Sequence, residues 1–104
     1  MQTTSQQYGY YQWRFSGDVL LFQVGRFFEY YRAHDRDVAQ RLGLRPMRPN
    51  SRGARYGFPV TRQEWALRRL LRQDRSVTVI LEREPYLTRI KTRMPAYRFE
   101  PCSA

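Results

Sequence analysis

Six residues, Val19-Leu20-Leu21-Phe22-Gln23-Val24, constrain the fold more than any others in this chain. Five of them are apolar, the turn residues Ser16-Gly17-Asp18 precede them, and Gly25 follows. A run this short and continuous suits a buried strand. A second run, Ser76 to Leu81, is β-branched and reads the same way.

Between and around these strands the periodicity turns helical. Thr4-Ser5 is placed to cap a short helix through Gln6-Gln7-Tyr8 towards Trp13, with Gly9 weakening it. After Gly25 the spacing predicts a helix from about Phe28 to Leu42. Tyr31, Val38, Ala39 and Leu42 recur along it at helical intervals, and Gly43 stops it. The two prolines of "LRPMRP" argue for an edge strand or a loop, and Asn50-Ser51-Arg52-Gly53 reads as a basic turn. Tyr56 to Val60 is extended. Thr61-Arg62-Gln63-Glu64 is a capping box, opening a helix with Trp65, Leu67, Leu70 and Leu71 on its apolar side and ending at Asp74. Thr88 to Thr92 alternates weakly as a last strand, and the tail 94–104 reads as irregular. The expected class is α/β, a mixed sheet with packed helices, in a single domain over residues 1–104.

Charge narrows the function classes. Lys and Arg number 19 against 9 Asp and Glu, a net charge of +10, and Lys91 is the sole lysine. A GC-rich codon bias would explain arginine in place of lysine, but not the excess of positive charge. A polyanionic partner is the natural inference, because arginine forks phosphate and guanine well. Arg45, Arg48, Arg52 and Arg55 cluster around the basic turn, and Arg68 and Arg72 share one face of the later helix.

Other chemistry is thin. His34 stands without Cys or carboxylates at ligand spacing, so no metal is expected, and no Ser or Cys nucleophile has a base. Ile90, not glycine, precedes Lys91, so a Gly-Lys phosphate loop is excluded. Glu82 and Glu84, flanking Arg83 near Arg89, read as a surface charge cluster rather than an acid–base pair. Cys102 is a tail residue that has no second cysteine to bridge to. No cofactor, small-molecule substrate or membrane partner is expected. The start of the chain lacks the pattern of a secretory signal, which reads as cytoplasmic.

The stretch Leu20-Leu21-Phe22-Gln23-Val24-Gly25-Arg26-Phe27-Phe28-Glu29 resembles the L-L-F-x-x-G-D-F-Y-E pattern of the N-terminal mismatch-recognition domain of the MutS mismatch-repair family. The resemblance spans about Gln6 to Arg93. Gln6-Gln7-Tyr8 is similar to the family's opening M-x-Q-Q-Y, Gly57-Phe58-Pro59 to its G-[IV]-P, and "SVTVILE" to its S-V-A-I-x-E-Q. It implies a phenylalanine, Phe27, that wedges into the minor groove and stacks on a mispaired base, and a glutamate, Glu29, that hydrogen-bonds that base. The arginines would then hold backbone phosphates. Phe28 and Tyr31 can face the sheet at the helix start and read as core. By periodicity alone Phe27 fits core and surface equally; the resemblance favours an exposed Phe27 ring.

Two departures stand out. Arg26 replaces the family's aspartate beside the phenylalanine, and the histidine after G-[IV]-P is missing. The family's connector, lever, clamp and ATPase domains are absent from these 104 residues. The initial Met1 favours a small complete protein, while a fragment of a full-length MutS would explain the absence equally well. The resemblance and the size together imply a non-catalytic binder of mismatched DNA or RNA–DNA hybrid. It would serve a larger machinery, such as the reverse transcriptase of a diversity-generating retroelement or a repair protein. The alternative is a protein adaptor that docks a polymerase through Tyr10, Tyr11, Trp13, Tyr97 and Phe99. An enzyme would need Glu82 or Glu84 and has little else in its favour.

Overall fold

The computed structural model describes residues 2–31, 35–83 and 91–102. The elements in chain order are α1 (Thr4–Arg14), β1 (Val19–Val24), β2 (Phe27–Tyr30), α2 (Asp35–Leu42), β3 (Tyr56–Pro59), a 3-10 turn (Val60–Arg62), α3 (Gln63–Arg72), β4 (Val77–Glu82) and β5 (Arg93–Phe99). The strands form one sheet in the order β3-β2-β1-β4-β5. Central β1 runs parallel to β4 and antiparallel to β2, and both edges are antiparallel, so the sheet is mixed and the class is α/β.

β1 spans the apolar run expected of it, and both of its faces are covered. Phe22 meets Tyr8 of α1 edge-on at 5.2 Å, and Tyr31 packs against the same two rings. On the opposite face Phe28 and Tyr30 pack against Phe58, which meets Trp65 of α3 edge-on at 5.7 Å. Helix α2 lies beside α3, where Arg69 and Gln73 both donate to the Arg41 carbonyl at its end.

Five expectations are corrected. The helix predicted from Phe28 does not start there: β2 occupies Phe27–Tyr30, and α2 begins only at Asp35. Val24 pairs with Phe27, leaving Gly25-Arg26 as a two-residue hairpin loop. Gly25 has φ +64° and Arg26 does not share it, the sign pattern of a type II′ turn with glycine first. Phe28 and Tyr31 are in the core as expected, but on opposite faces of the sheet rather than on a helix.

The helix caps also differ. Thr3 rather than Thr4 caps α1, because Gln6 three residues on closes a reciprocal box with it at 3.1 and 2.8 Å. The box proposed at Thr61 does not form. The 3-10 turn absorbs Thr61, and α3 starts after Arg62 without a side-chain cap. Its buried stripe runs through Ala66 and Leu70, with Trp65 and Leu67 partly covered, and Asp74 at φ 58° ends it as expected.

The tail read as irregular is largely strand. β5 pairs with β4 from Arg93 to Phe99, with a register shift between Val79 and Ile80. Tyr97 faces Val79 and Pro95 faces Ile80, so Ala96 bulges out. An edge strand with a bulge is where a proline is tolerated. Of the last strand expected at Thr88 to Thr92, residues 88–90 lie outside the described residues, as does His34, and Lys91-Thr92 carry no regular structure.

Glu82 is the fifth correction. It does not belong to a surface cluster: its side chain is buried against that of Arg93, and Glu84 and Arg89 lie outside the described residues. Strand phase explains it. Thr78, Ile80 and Glu82 alternate onto the face that β1 lines with Leu20 and Phe22. Among the described residues no helix is long and apolar enough to cross a membrane.

Gly57, opposite Glu29 in the β2–β3 ladder, allows the strands to approach. A Cβ there would sit 2.9 Å from the Phe28 carbonyl oxygen, which is backbone and cannot swing away. Gly57→Ala is therefore expected to destabilise the chain by about 1–3 kcal/mol through a forced strand shift. Urea unfolding measures this, and an unchanged midpoint would contradict it.

Candidate nucleic-acid interface

The β1–β2 hairpin projects a short basic and aromatic tip. Arg26 is exposed in the turn and Phe27, the first residue of β2, is 47% exposed. Backbone ties hold the tip from both sides. Val60 N–H donates to the Arg26 carbonyl at 2.9 Å, and Gly25 N–H donates to Glu82 Oε1 at 3.1 Å. The Gln23 amide also donates to the Gly25 carbonyl at 2.9 Å. The Phe27 ring thus stands in solvent on a fixed strand end.

Glu29 shares a face with Phe27 but is buried. Its Oε1 accepts from the Tyr31 hydroxyl at 2.6 Å and Arg52 Nε at 3.1 Å. Its Oε2 accepts from Asn50 Nδ2 at 3.0 Å and Arg52 Nη2 at 2.8 Å. A carboxylate offers about four acceptor positions, so the protein itself fills them. The turn predicted at Asn50-Ser51-Arg52-Gly53 makes this possible. Asn50 Oδ1 accepts from the backbone N–H groups of Arg52 and Ala54, which leaves its amide free to reach Glu29. The bond to Glu29 raises the pKa of Arg52, and burial, followed by Glu29, raises that of Tyr31.

The other predicted arginines divide by partner. Arg26, Arg45, Arg48 and Arg72 are exposed and have no acidic partner among the described residues. Arg55 pairs with buried Asp35 at 3.0 Å, and Arg68 with Glu64 at 2.6 Å. Arg45 and Arg48 lie on the loop that carries Arg52. Arg68 and Arg72 do not join them. They line an open groove of about 500 Å³ on α3, where Arg62 stacks 4.0 Å over Trp65, and α3 packs on the sheet face opposite Phe27.

Several residues went unread in the sequence. Arg93 runs under the hairpin, its guanidinium 4.7 Å from the Phe22 ring. It donates to the Gln23 and Lys91 carbonyls, to Gln7 Oε1 and to Glu82. Burial lowers its pKa, opposed by the charge of Glu82. Lys91 lies 3.8 Å from Glu82, and with Val24, Gly25 and Arg52 these residues line a shallow recess of about 310 Å³ beside the tip. The signal for Glu82 was strand alternation, and for Tyr31 its place two residues beyond Glu29; the reach of Arg93 and Asn50 into the site had no local signal.

The family model for MutS domain I matches residues 2–94. No curated protein matches the chain. A match over most of the length, on what is among the described residues a mixed five-stranded sheet with three α-helices, shows that this chain belongs to the MutS domain I family.

Proposed function

We propose that this chain is a non-catalytic nucleic-acid-binding module that recognises mismatched or otherwise distorted duplex. Phe27 enters the minor groove at the weak step, and arginines hold the flanking phosphates. The observation that carries the reading is a half-exposed aromatic ring on a pinned hairpin tip beside an arginine that has no acidic partner among the described residues. Inserting an apolar wedge costs a few kcal/mol of unstacking, least where pairing is already lost, so the wedge selects distortion. Arg26, Arg45 and Arg48 supply the sequence-independent hold.

Gel shifts on matched DNA, mismatched DNA and RNA–DNA hybrid at two salt concentrations test it. Affinity is expected to fall with a log–log slope of about −0.9 per phosphate neutralised on B-DNA. Arg45→Gln with Arg48→Gln should flatten that slope by roughly 2 while leaving the preference for mismatched duplex intact. A slope near zero would sink the reading.

A second reading is favoured by one observation. Trp13 is 74% exposed, with Tyr10 beside it on α1, and Tyr97 is exposed on β5. These rings suit docking onto a larger enzyme such as a reverse transcriptase or repair protein. Tyr11 and Phe99 contribute less, because both pack partly against the core and the Tyr11 hydroxyl donates to the Arg93 carbonyl at 2.8 Å. A partner recovered after nuclease treatment in high salt, and lost with Trp13→Ala, supports this reading; loss of the partner on nuclease treatment refutes it.

A further inference from the structure

Glu29 occupies the position at which an acceptor would read a base, yet its oxygens are filled from within the chain. Arg52 is what reaches solvent there. Its Nε and Nη2 are fixed on Glu29, while Nη1 has no acceptor among the described residues, and its side chain stays 38% exposed. Arg52 lines the recess together with Val24, and Val24 is the cross-strand partner of Phe27. Phe27 and Glu29 are two residues apart on one face of a strand, about 7 Å. A base stacked on Phe27 therefore meets a donor, not an acceptor.

We propose that Arg52, held by Glu29, is a specificity-determining residue that donates hydrogen bonds to the acceptor edge of the base stacked on Phe27. The proposal rests on the wedge reading of Phe27. Its chemistry suits the minor groove. Adenine N3 and thymine O2 are acceptors there, and the donor in that groove is the guanine amino group. A guanidinium stays charged at any working pH and can therefore read a displaced base without needing a donor on it. Phosphate is the competing ligand. The bidentate hold on Glu29 argues against it, because Glu29 offsets the charge of Arg52 and fixes its direction, whereas Arg26, Arg45 and Arg48 have no acidic partner among the described residues.

Fluorescence anisotropy with the full chain, on matched and singly mismatched DNA duplexes at several salt concentrations, tests this. Arg52→Met is expected to cut the preference for mismatched over matched duplex by roughly 5-fold or more, with the salt slope on matched DNA unchanged. Glu29→Gln should do the same by releasing Arg52, and the double variant should be no worse than Arg52→Met alone. Since Arg52→Met leaves a buried carboxylate without its cation, the double variant, which removes that charge, carries the measurement should the single one fail to fold.

Equal losses on both duplexes with a slope lowered by about 0.9 would make Arg52 a phosphate contact and overturn the proposal. So would a preference kept by Arg52→Met and lost by Glu29→Gln, which would make Glu29 the reader. Phe27→Ala separates the two levels: a preference that survives it refutes the wedge itself, whereas a preference lost there and kept in the double variant refutes only the role of Arg52.

Discussion

Phe27→Ala is expected to weaken binding to a mismatched duplex by roughly 5- to 150-fold, the equivalent of about 1–3 kcal/mol of base–aromatic stacking. Binding to matched duplex should change far less, because there the ring has no unpaired step to enter and the arginines carry the affinity. The fold should tolerate the change. The ring is half-exposed at the end of β2, and the ties that hold the tip run through the backbone of Gly25 and Arg26. Stability is therefore expected to stay within about 1 kcal/mol of the parent. Anisotropy titrations on the two duplexes, with an unfolding curve for the same variant, decide it. A loss of the same factor on both duplexes would reduce Phe27 to an ordinary surface residue.

The neighbour shows why adjacent aromatics are not interchangeable. Phe28 points to the opposite face, where it packs on Phe58 with no exposure at all. Phe28→Ala would remove core and lower stability by about 3–5 kcal/mol. A binding defect in that variant would report unfolding, so matching the two substitutions by circular dichroism isolates the role of the exposed ring.

The strands at the centre of the sheet were legible, because a continuous apolar run bounded by turn residues has few other uses. β1 sits where that run placed it, and β4 is offset from its own run by a single residue at each end. The hairpin was not read, for a physical reason. Phe27-Phe28-Glu29-Tyr30-Tyr31 puts aromatics at spacings that satisfy a helical stripe and a strand alike. The deciding signal was two residues long: Gly-Arg between two apolar runs is a type II′ loop, and it forces the chain back along β1.

The candidate site was legible in proportion to how local it is. Phe27 was reached through resemblance, not periodicity. The burial of Glu29 was out of reach, because it depends on Asn50 and Arg52, more than twenty residues later, folding back through a turn that is itself secured by the Asn50 side chain. That Arg68 and Arg72 lie on the sheet face opposite Phe27 was out of reach for the same reason: sequence gives the face of a helix but not the face of the sheet that it covers.

Arg93→Ala is expected to damage stability as much as the loss of a core aromatic, at about 3–5 kcal/mol. The Arg93 and Glu82 side chains are 2% and 4% exposed, so removing the cation takes away the buried partner of a buried carboxylate and leaves the Lys91 ammonium 3.8 Å away. It also removes the Arg93 donors to the Gln23 carbonyl and the Gln7 amide oxygen, and leaves the Lys91 carbonyl with the Gln7 amide as its donor at 3.1 Å. Glu82 is the link between this network and the hairpin, since the same side chain accepts from the Gly25 N–H. For a domain near this size the loss lowers Tm by more than about 10 °C. Replacing both charges, as in Arg93→Met with Glu82→Gln, should recover part of it, because the cost comes chiefly from the uncompensated charge. The exposed Arg68–Glu64 pair on α3 is the control. Glu64→Ala is expected to cost no more than about 0.5 kcal/mol, since solvent screens that pair. Should urea unfolding give the two variants similar small losses, Arg93 would not be holding a buried charge, and the anchoring of the hairpin through Glu82 would have to be abandoned with it.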